Sequence, residues 1–193
     1  MLKKKTCSNR SIIAWIVGVT LAALLLFTVW FLMHRSKLQQ DDIIANHVQQ
    51  LATIFKKINE DCSIIGFEDE GGSRKKNYID FLTVKAVAGS QIGSLNVLHP
   101  DKWQGPYVSE NITAQERYYY VVNIKGEYYI IPGDGIKLSN GKIIGKDIII
   151  DGSSKIEDMI KDPTALNFNG RPLAARLEIK KVAAPAAISP DID

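Results

Sequence analysis

Apolar residues dominate the first third of the chain in two different arrangements. Residues 11–33 (SIIAWIVGVTLAALLLFTVWFLM) form 23 consecutive positions without a charged side chain. Farther along, apolar residues recur at steps of 4, 3, 4, 3 and 4, which places them along one face of a helix. These six residues, called the apolar stripe below, are Ile44, Val48, Leu51, Phe55, Ile58 and Cys62.

The same region lacks residues that break helices. Between Gly18 and Gly66 there is neither glycine nor proline over 47 residues, although these residues normally punctuate a chain. This predicts one helix that starts in the apolar run and continues through the amphipathic stretch, with the stripe packed on a globular domain. The alternative is two helices separated near HRSKLQQDD, residues 34–42.

The uncharged run predicts a membrane-spanning helix. At 1.5 Å per residue it reaches about 34 Å, and the hydrocarbon core of a bilayer is about 30 Å thick. Trp15 and Trp30 lie near its two ends, where aromatic rings prefer the membrane interface. A cleaved signal peptide fits less well, because the run exceeds the usual length of about 7–15 residues and no A-x-A-like site follows.

Charge is distributed unevenly around this run. Six of the 24 basic residues lie within residues 1–37, where there is no acidic residue, and four of them precede the run. This asymmetry predicts a cytoplasmic N-terminus, a single pass through the inner membrane and a periplasmic or other extracytoplasmic domain. The remainder has 18 basic and 21 acidic residues, so it lacks the basic surface that nucleic-acid binding requires.

The second half of the chain has β-strand patterns. The segment EDEGGSRKKN (68–77) predicts an exposed loop. Two runs of β-forming residues, RYYYVVNI and EYYIIPGDG, flank Lys125-Gly126 and predict a hairpin with two apolar faces. Such a sheet needs cover from the long helix on one face and from a partner or a later segment on the other.

The last third contains several turn signals. Asn140-Gly141 predicts a type I′ turn between short strands, and Asn169-Gly170 predicts a final hairpin. KDIIIDG (146–152) is typical of a strand. SSKIEDMIKD (153–162) is typical of a short helix, with Ser153 or Ser154 as its N-cap.

No catalytic arrangement is recognisable. The three histidines (His34, His47 and His99) have no suitably placed cysteine partner, and there is no G-x-S-x-G, H-E-x-x-H, P-loop or C-x-x-C motif. A triad assembled in space from scattered serines and carboxylates stays open. We therefore predict a non-enzymatic protein without a cofactor.

Calcium is the one metal that the sequence suggests. Asp134, Asp147 and Asp151 stand beside glycine turns and carry hard oxygen ligands. Their spacing does not fit the loop pattern D-x-[DN]-x-[DN]-G, and Asp-Gly pairs are ordinary turn chemistry. We predict no metal site, with calcium at these three carboxylates as the alternative.

An aromatic cluster lies between the helical and the β-rich halves. KWQGPYV, residues 102–108, contains Trp103, Gly105, Pro106 and Tyr107. Pro106 disfavours the α conformation at Gly105, and the two rings can fold onto apolar surface with their N–H and O–H groups at the rim. We predict a clamp between helix and sheet, with a binding site as the alternative.

Together these features resemble the type IV pilin-like family, and most of all the major pseudopilins of type II secretion. KWQGPYV resembles the W-x-G-P-Y segment of that family, and YYYVVNIKGEYYIIPGDG (118–135) resembles its sheet region. The N-terminus departs from the family, because the apolar run has neither the glycine–phenylalanine cleavage motif nor the glutamate that follows it.

The resemblance implies an α+β, pilin-like fold in which a long N-terminal helix packs on a small antiparallel sheet. It also implies a subunit or accessory protein that assembles with other pilin-like subunits, secretion-system proteins or copies of itself. The alternative is a monomeric anchored domain that binds a ligand or a periplasmic partner. We divide the chain into a basic cytoplasmic tip (1–10), a transmembrane helix (11–33), its amphipathic continuation (34–65), a sheet domain (66–180) and a disordered tail (181–193).

Overall fold

The computed structural model describes residues 9–67 and 76–179, without the side chains of residues 9–14 and 34–38. The predicted basic tip (apart from residues 9 and 10), the predicted loop (apart from residues 76 and 77) and the predicted tail lie outside the described residues. The chain separates into two compact units, Met1–Gln40 and Asp41–Asp193. Both contain part of helix α1, Asn9–Cys62.

Helix α1 includes residues 34–42, where the alternative prediction placed a break. Its end has a clear cause. Ser63 follows with a φ of 54°, the left-handed conformation typical of the position after a helix. The Asn59 backbone carbonyl accepts a hydrogen bond from the Ser63 N–H (3.1 Å), and its side-chain oxygen accepts one from the Ile64 N–H (3.0 Å). These bonds turn the chain into the first strand.

In the first unit, the helix presents apolar side chains on all sides. Every side chain from Trp15 to Met33 is exposed, and this span is long and apolar enough to cross a membrane. Its two threonines hide their hydroxyls: Thr20 donates to the Ile16 carbonyl (2.6 Å), and Thr28 donates to carbonyls one turn earlier. The threonine hydroxyls of the span are therefore satisfied within the helix.

The second unit is built from short antiparallel strands. In chain order they are β1 (Ile64–Phe67), β2 (Lys76–Tyr78), β3 (Gln91–Ile92), β4 (Leu95–Val97), β5 (Thr113–Ala114), β6 (Arg117–Tyr118), β7 (Tyr120–Ile124), β8 (Glu127–Ile131), β9 (Asn167–Phe168), β10 (Arg171–Pro172) and β11 (Ala175–Leu177). One sheet has the order β11-β8-β7-β2 and another β1-β4-β3, while β5 pairs with β6 and β9 with β10. A 3-10 turn (Pro100–Lys102) and the short helix α2 (Ile156–Met159) complete the unit. The fold is α+β.

The hairpin predicted at Lys125-Gly126 is confirmed, and both of its faces are covered. The face with Tyr128 lies toward α1, because Phe67 packs its ring between those of Phe55 and Tyr128. On the opposite face Tyr129 and Ile131 are buried, and Arg176 of the neighbouring strand β11 pairs with Glu157 of α2 (3.4 Å). A later segment of the same chain therefore covers the second face.

The apolar stripe forms the spine of the core. Its six side chains are 0 or 1% exposed, and they belong to one cluster with the strands of both sheets. Full burial of such a side chain stabilises the fold by roughly 1.5–3 kcal/mol. The helix periodicity of the sequence therefore identified the buried face of α1.

A buried carboxylate stands at the start of the stripe. Asp41 is 2% exposed, and both of its oxygens accept the Ser139 N–H at 3.1 Å. The Ser139 hydroxyl donates a further bond of 2.6 Å. On the next residue, the half-exposed Asp42 pairs with Arg171 at 3.0 Å. Two segments from the last third of the chain thus hold the same turn of α1.

Three predicted details in this last third are wrong. Gly141 has a positive φ of 86° but Asn140 does not, so the turn is not type I′. Its flanking strands are reduced to a single bridge. The type I′ geometry occurs instead at Asn169-Gly170, where both residues have positive φ and the predicted hairpin forms.

The strand predicted at KDIIIDG and the N-cap predicted for α2 are the other two errors. Ile148 makes one isolated bridge because the Asp147 carboxylate accepts the Ile143 N–H (2.9 Å) and curls the segment. Ile148 and Ile150 reach the core from this loop. Ser153 and Ser154 bond to Asp151, and Lys155 occupies the cap position without a side-chain bond.

Asp41 and Asp42 offer a matched test of these fastenings. We expect Asp41→Ala to lower the free energy of unfolding by about 1.5–3 kcal/mol, because it removes a buried carboxylate and leaves the half-buried Ser139 N–H and hydroxyl without their acceptor. Asp42→Ala removes only an exposed ion pair, so its cost is below about 1 kcal/mol. Denaturant unfolding of the full chain in a mild detergent measures both. Equal losses of unfolding free energy in the two variants would show that burial of the Asp41 hydrogen bonds adds nothing to stability.

Candidate functional site

Most exposed apolar surface in the described residues lies on the first part of α1. Fourteen of the twenty large exposed hydrophobic side chains fall between Trp15 and Met33. Apolar surface of this extent and continuity is typical of contact with lipid or with other apolar helices. We therefore take the exposed surface of Trp15–Met33 as the first candidate site.

The apolar stripe is not available for contacts with another molecule. Each of its side chains is buried within the chain's own second unit. The residues that α1 exposes between Asp41 and Cys62 include Asn46, Gln49, Gln50, Lys56, Lys57 and Glu60. Any partner that meets this part of the helix therefore meets mainly polar groups.

The KWQGPYV cluster is the second candidate site. The rings of Trp103 and Tyr107 are half-buried and meet edge to face, with centroids 4.8 Å apart and planes at 82°. The Trp103 indole N–H donates to the Val84 carbonyl (3.0 Å), and the Tyr107 N–H donates to the Leu82 carbonyl (2.9 Å). The cluster therefore fixes the connection that follows β2.

The cluster also contacts α1. The Lys57 ammonium lies 5.9 Å from the centroid of the Tyr107 ring. Just before the cluster, the backbone N–H groups of Leu98 and His99 donate to the carbonyls of Ser63 and Cys62 at the end of the helix. The cluster thus joins the helix to the 82–84 connection rather than to a central strand of the larger sheet.

Gly105 is the tightest point of the cluster. The peptide bond between Gly105 and Pro106 is cis. A Cβ atom at Gly105 would overlap the Val84 carbonyl oxygen and the indole nitrogen of Trp103. Only glycine therefore allows the indole to donate its hydrogen bond at this place. Pro106 itself is exposed.

The three carboxylates proposed for calcium have separate partners. Both oxygens of Asp134 lie 2.7 Å from the Lys76 ammonium, Asp147 accepts the Ile143 N–H, and Asp151 accepts both the N–H and the hydroxyl of Ser153. The hydrogen bonds from Ser153 are the main reason why the pKa of Asp151 is lowered. Within the described ranges, no three acidic, histidine or cysteine side chains form a group that could hold a metal.

One histidine lies against the core. His47 Nδ1 is 3.1 Å from the Tyr119 hydroxyl oxygen, and the two rings meet nearly at right angles. Tyr119 is fully buried, and its burial raises its pKa. Burial likewise lowers the pKa of His47 below its usual value. This pair links α1 to the residue that precedes β7.

Comparison of the chain with models of protein families, with curated proteins and with solved structures gave no match. The interpretation of the sites therefore depends on the residues and their geometry.

Sequence patterns missed the role of Asp41. The residue lies three positions before Ile44, so the spacing of the apolar stripe, extended backwards by one step, places Asp41 on the buried face. That spacing was the available signal, and it indicates that a carboxylate at this position needs hydrogen-bond partners.

Gly105 and Gly89 offer a matched pair for testing the cluster. We expect Gly105→Ala to cost about 1–3 kcal/mol of unfolding free energy, because the new methyl group forces the indole and the 82–84 connection apart. Gly89→Ala meets no atom within 4 Å, so its effect stays within about 0.5 kcal/mol. Denaturant unfolding, followed by Trp fluorescence, measures both. A neutral Gly105→Ala would show that the cluster is loosely packed.

His47 predicts a pH dependence of stability. Because its pKa is lowered in the folded chain, the unfolded chain binds the proton more readily. The stabilisation is fully present above the unfolded-state pKa of about 6.5 and is lost as the pH falls through the folded-state value. We expect His47→Gln to reduce the slope of unfolding free energy between pH 7.5 and 5.5. An unchanged slope would contradict this assignment.

Proposed function

We propose that this chain is a membrane-anchored, pilin-like subunit or accessory protein of a type II secretion or pilus-type assembly. It acts by helix packing and assembly rather than by catalysis. The observation that carries the proposal is the make-up of α1, Asn9–Cys62. One helix supplies both an exposed apolar span and the spine of an α+β unit's core.

The exposed span supports the anchoring part of the proposal. Trp15–Met33 matches the thickness of a bilayer, and lipid is the environment in which such a surface is stable. The basic residues Lys3, Lys4, Lys5 and Arg10 precede the span. By the positive-inside rule they favour an N-terminus in the cytoplasm and a second unit outside the inner membrane.

The second unit supports the pilin-like part. The KWQGPYV motif, which carries the family resemblance, is an ordered cluster with no space for a side chain at position 105. The motif follows the long helix and precedes the hairpin of β7 and β8, which is the order that the resemblance implies. An intramolecular, structural role for this motif agrees with a protein whose function is assembly.

In the proposed mechanism, the apolar span holds the subunit in the bilayer until it is recruited. Lateral packing of the same span against neighbouring subunits then forms the assembly, since small gains in van der Waals contact drive helix association in lipid. The second units face outward. Leu51 and the rest of the stripe take no part in these contacts, because they are buried within their own unit.

Cysteine crosslinking in native membranes tests the proposal. Single cysteines are placed in turn at exposed positions from Trp15 to Met33, in a Cys7→Ser background that keeps the buried Cys62. We expect oxidation to give disulfide-linked species larger than a dimer when pairs of such positions are combined. The yield should recur every three to four residues, the period of one helix face.

Two controls make the outcome decisive. A cysteine at Ile149, which is exposed in the second unit, reports random collision. Leu25→Lys places a charge in the middle of the span and should abolish the ladder, whereas Leu51→Lys is unsuitable because it disrupts the core. If the yield of disulfide-linked species at every position were as low as that of Ile149→Cys, assembly would be contradicted. The alternative, a monomeric anchored domain that binds a ligand or a partner, would then be favoured.

A further inference from the structure

A pocket of about 530 Å³ opens beside the edge strand β2 of the larger sheet. It takes a tyrosine from each of three strands, Tyr78 of β2, Tyr118 of β6 and Tyr120 of β7. Three carboxylates and one cation complete its lining, and these residues are Asp80, Glu116, Asp134 and Arg117. Neither the membrane span nor the KWQGPYV cluster contributes to it.

The three rings form walls that face in different directions. The ring of Tyr78 lies 4.8 Å from that of Tyr120 at an angle of 64°, and 6.2 Å from that of Tyr118 at 88°. Tyr120 is 9% exposed, whereas Tyr78 and Tyr118 are 47% and 39% exposed. The inner ring is thus part of the core, and the two outer rings offer their surfaces to a guest.

The chain already holds one ammonium group against two residues of the pocket lining, Tyr120 and Asp134. Lys76 Nζ lies 5.4 Å from the centroid of the Tyr120 ring and 2.7 Å from both oxygens of Asp134. Its side chain is only 13% exposed. A tyrosine face together with a carboxylate is therefore sufficient here to keep a cation out of water.

The exposed part of the pocket likewise combines tyrosine rings with carboxylates, but no lysine of the described residues is paired with these carboxylates. Asp80 and Glu116 are exposed, and in the part of the chain that the structure describes neither carboxylate has an ion-pair partner. Lys76 balances Asp134, so the two remaining carboxylates outweigh Arg117. Among the residues that line the pocket, the acidic side chains thus exceed the basic ones, and this balance favours a positive guest.

We propose that this pocket binds an organic cation, an alkylammonium or guanidinium group, against the exposed surfaces of the Tyr78 and Tyr118 rings. Asp80 and Glu116 supply the counter-charge. Aromatic faces attract such groups through the ring quadrupole, and the gain is larger where the cation leaves water. The inference stands independently of the proposed assembly function, since it uses no residue of the membrane span.

The same cation is carried by free amines and by the side chains of basic residues in proteins. A titration of the full chain in dodecyl maltoside micelles, with its tyrosines replaced by 3-fluorotyrosine, distinguishes these two sources. The probes are n-butylammonium and the peptide acetyl-Gly-Lys-Gly-amide. Their neutral counterparts are 1-butanol and the same peptide with norleucine in place of lysine. Single Tyr→Leu variants assign the fluorine signals.

We expect saturable shifts of the Tyr78 and Tyr118 signals with the charged probes, and none at Tyr107 or Tyr128. At least fivefold tighter binding of the peptide than of n-butylammonium would identify a basic protein side chain as the guest, and equal or weaker binding would identify a free amine. Glu116→Gln should weaken binding at least threefold and make it less sensitive to salt. Glu110→Gln, at an exposed position outside the pocket, is the matched control.

Shifts of equal size with the neutral probes would overturn the proposal, because they would show plain apolar contact. Its rejection would also follow if no tyrosine signal moved with either charged probe. A third contrary result is equal weakening by Glu116→Gln and Glu110→Gln, which would assign the effect to the general charge of the chain. Far-ultraviolet circular dichroism of each variant confirms that it is folded.

Discussion

The burial of one face of α1 is the constraint on which the second unit depends. The helix brings six apolar side chains to that face but no strand of its own, so every layer that covers them comes from later in the chain. The sheet of β7 and β8 lies against this face. The fastenings at Asp41 and Asn59 then fix the helix near the two ends of the buried stretch. Without that face, the short strands of the unit would have little to pack on.

This constraint also separates the two parts of α1 by their chemistry. After residue 41 most apolar side chains of the helix are buried in the core of the second unit, and the exposed positions are mainly polar. From Trp15 to Met33 the apolar groups remain outside. One helix thus carries two kinds of apolar surface, one buried in the protein interior and one exposed, and the residues opposite the apolar ones distinguish them.

Local patterns predicted those features that depend on local physics. The spacing of Ile44 to Cys62 identified the buried face, because helix geometry alone fixes which residues share it. Lys125-Gly126 and Asn169-Gly170 marked hairpins, because a turn with positive φ favours glycine and asparagine. By contrast, β5 and β6 are joined through Gln115 and Glu116, both with positive φ, and these residues give no turn signal.

Long-range contacts produced the features that the patterns missed. The isoleucines of KDIIIDG are typical of a strand. However, the Asp147 carboxylate accepts a hydrogen bond from the Ile143 N–H, and the segment forms a loop whose Ile148 and Ile150 are buried in the core. The clamp prediction placed the KWQGPYV cluster between helix and sheet, whereas its partners are the 82–84 connection and Lys57. Likewise, Tyr78 reaches Tyr118 and Tyr120 only through the pairing of β2 with β7, which no local spacing in the sequence predicts.

The contacts that hold α1 impose an order on the making of the molecule. Asp41, Asp42 and Asn59 meet partners 98, 129 and 119 residues later in the chain. Synthesis delivers the N-terminal helix first, so the apolar stripe exists before the segments that cover it. Throughout that interval the stripe is uncovered. Folding of the second unit is therefore a late event, completed only when the last third of the chain has been synthesised.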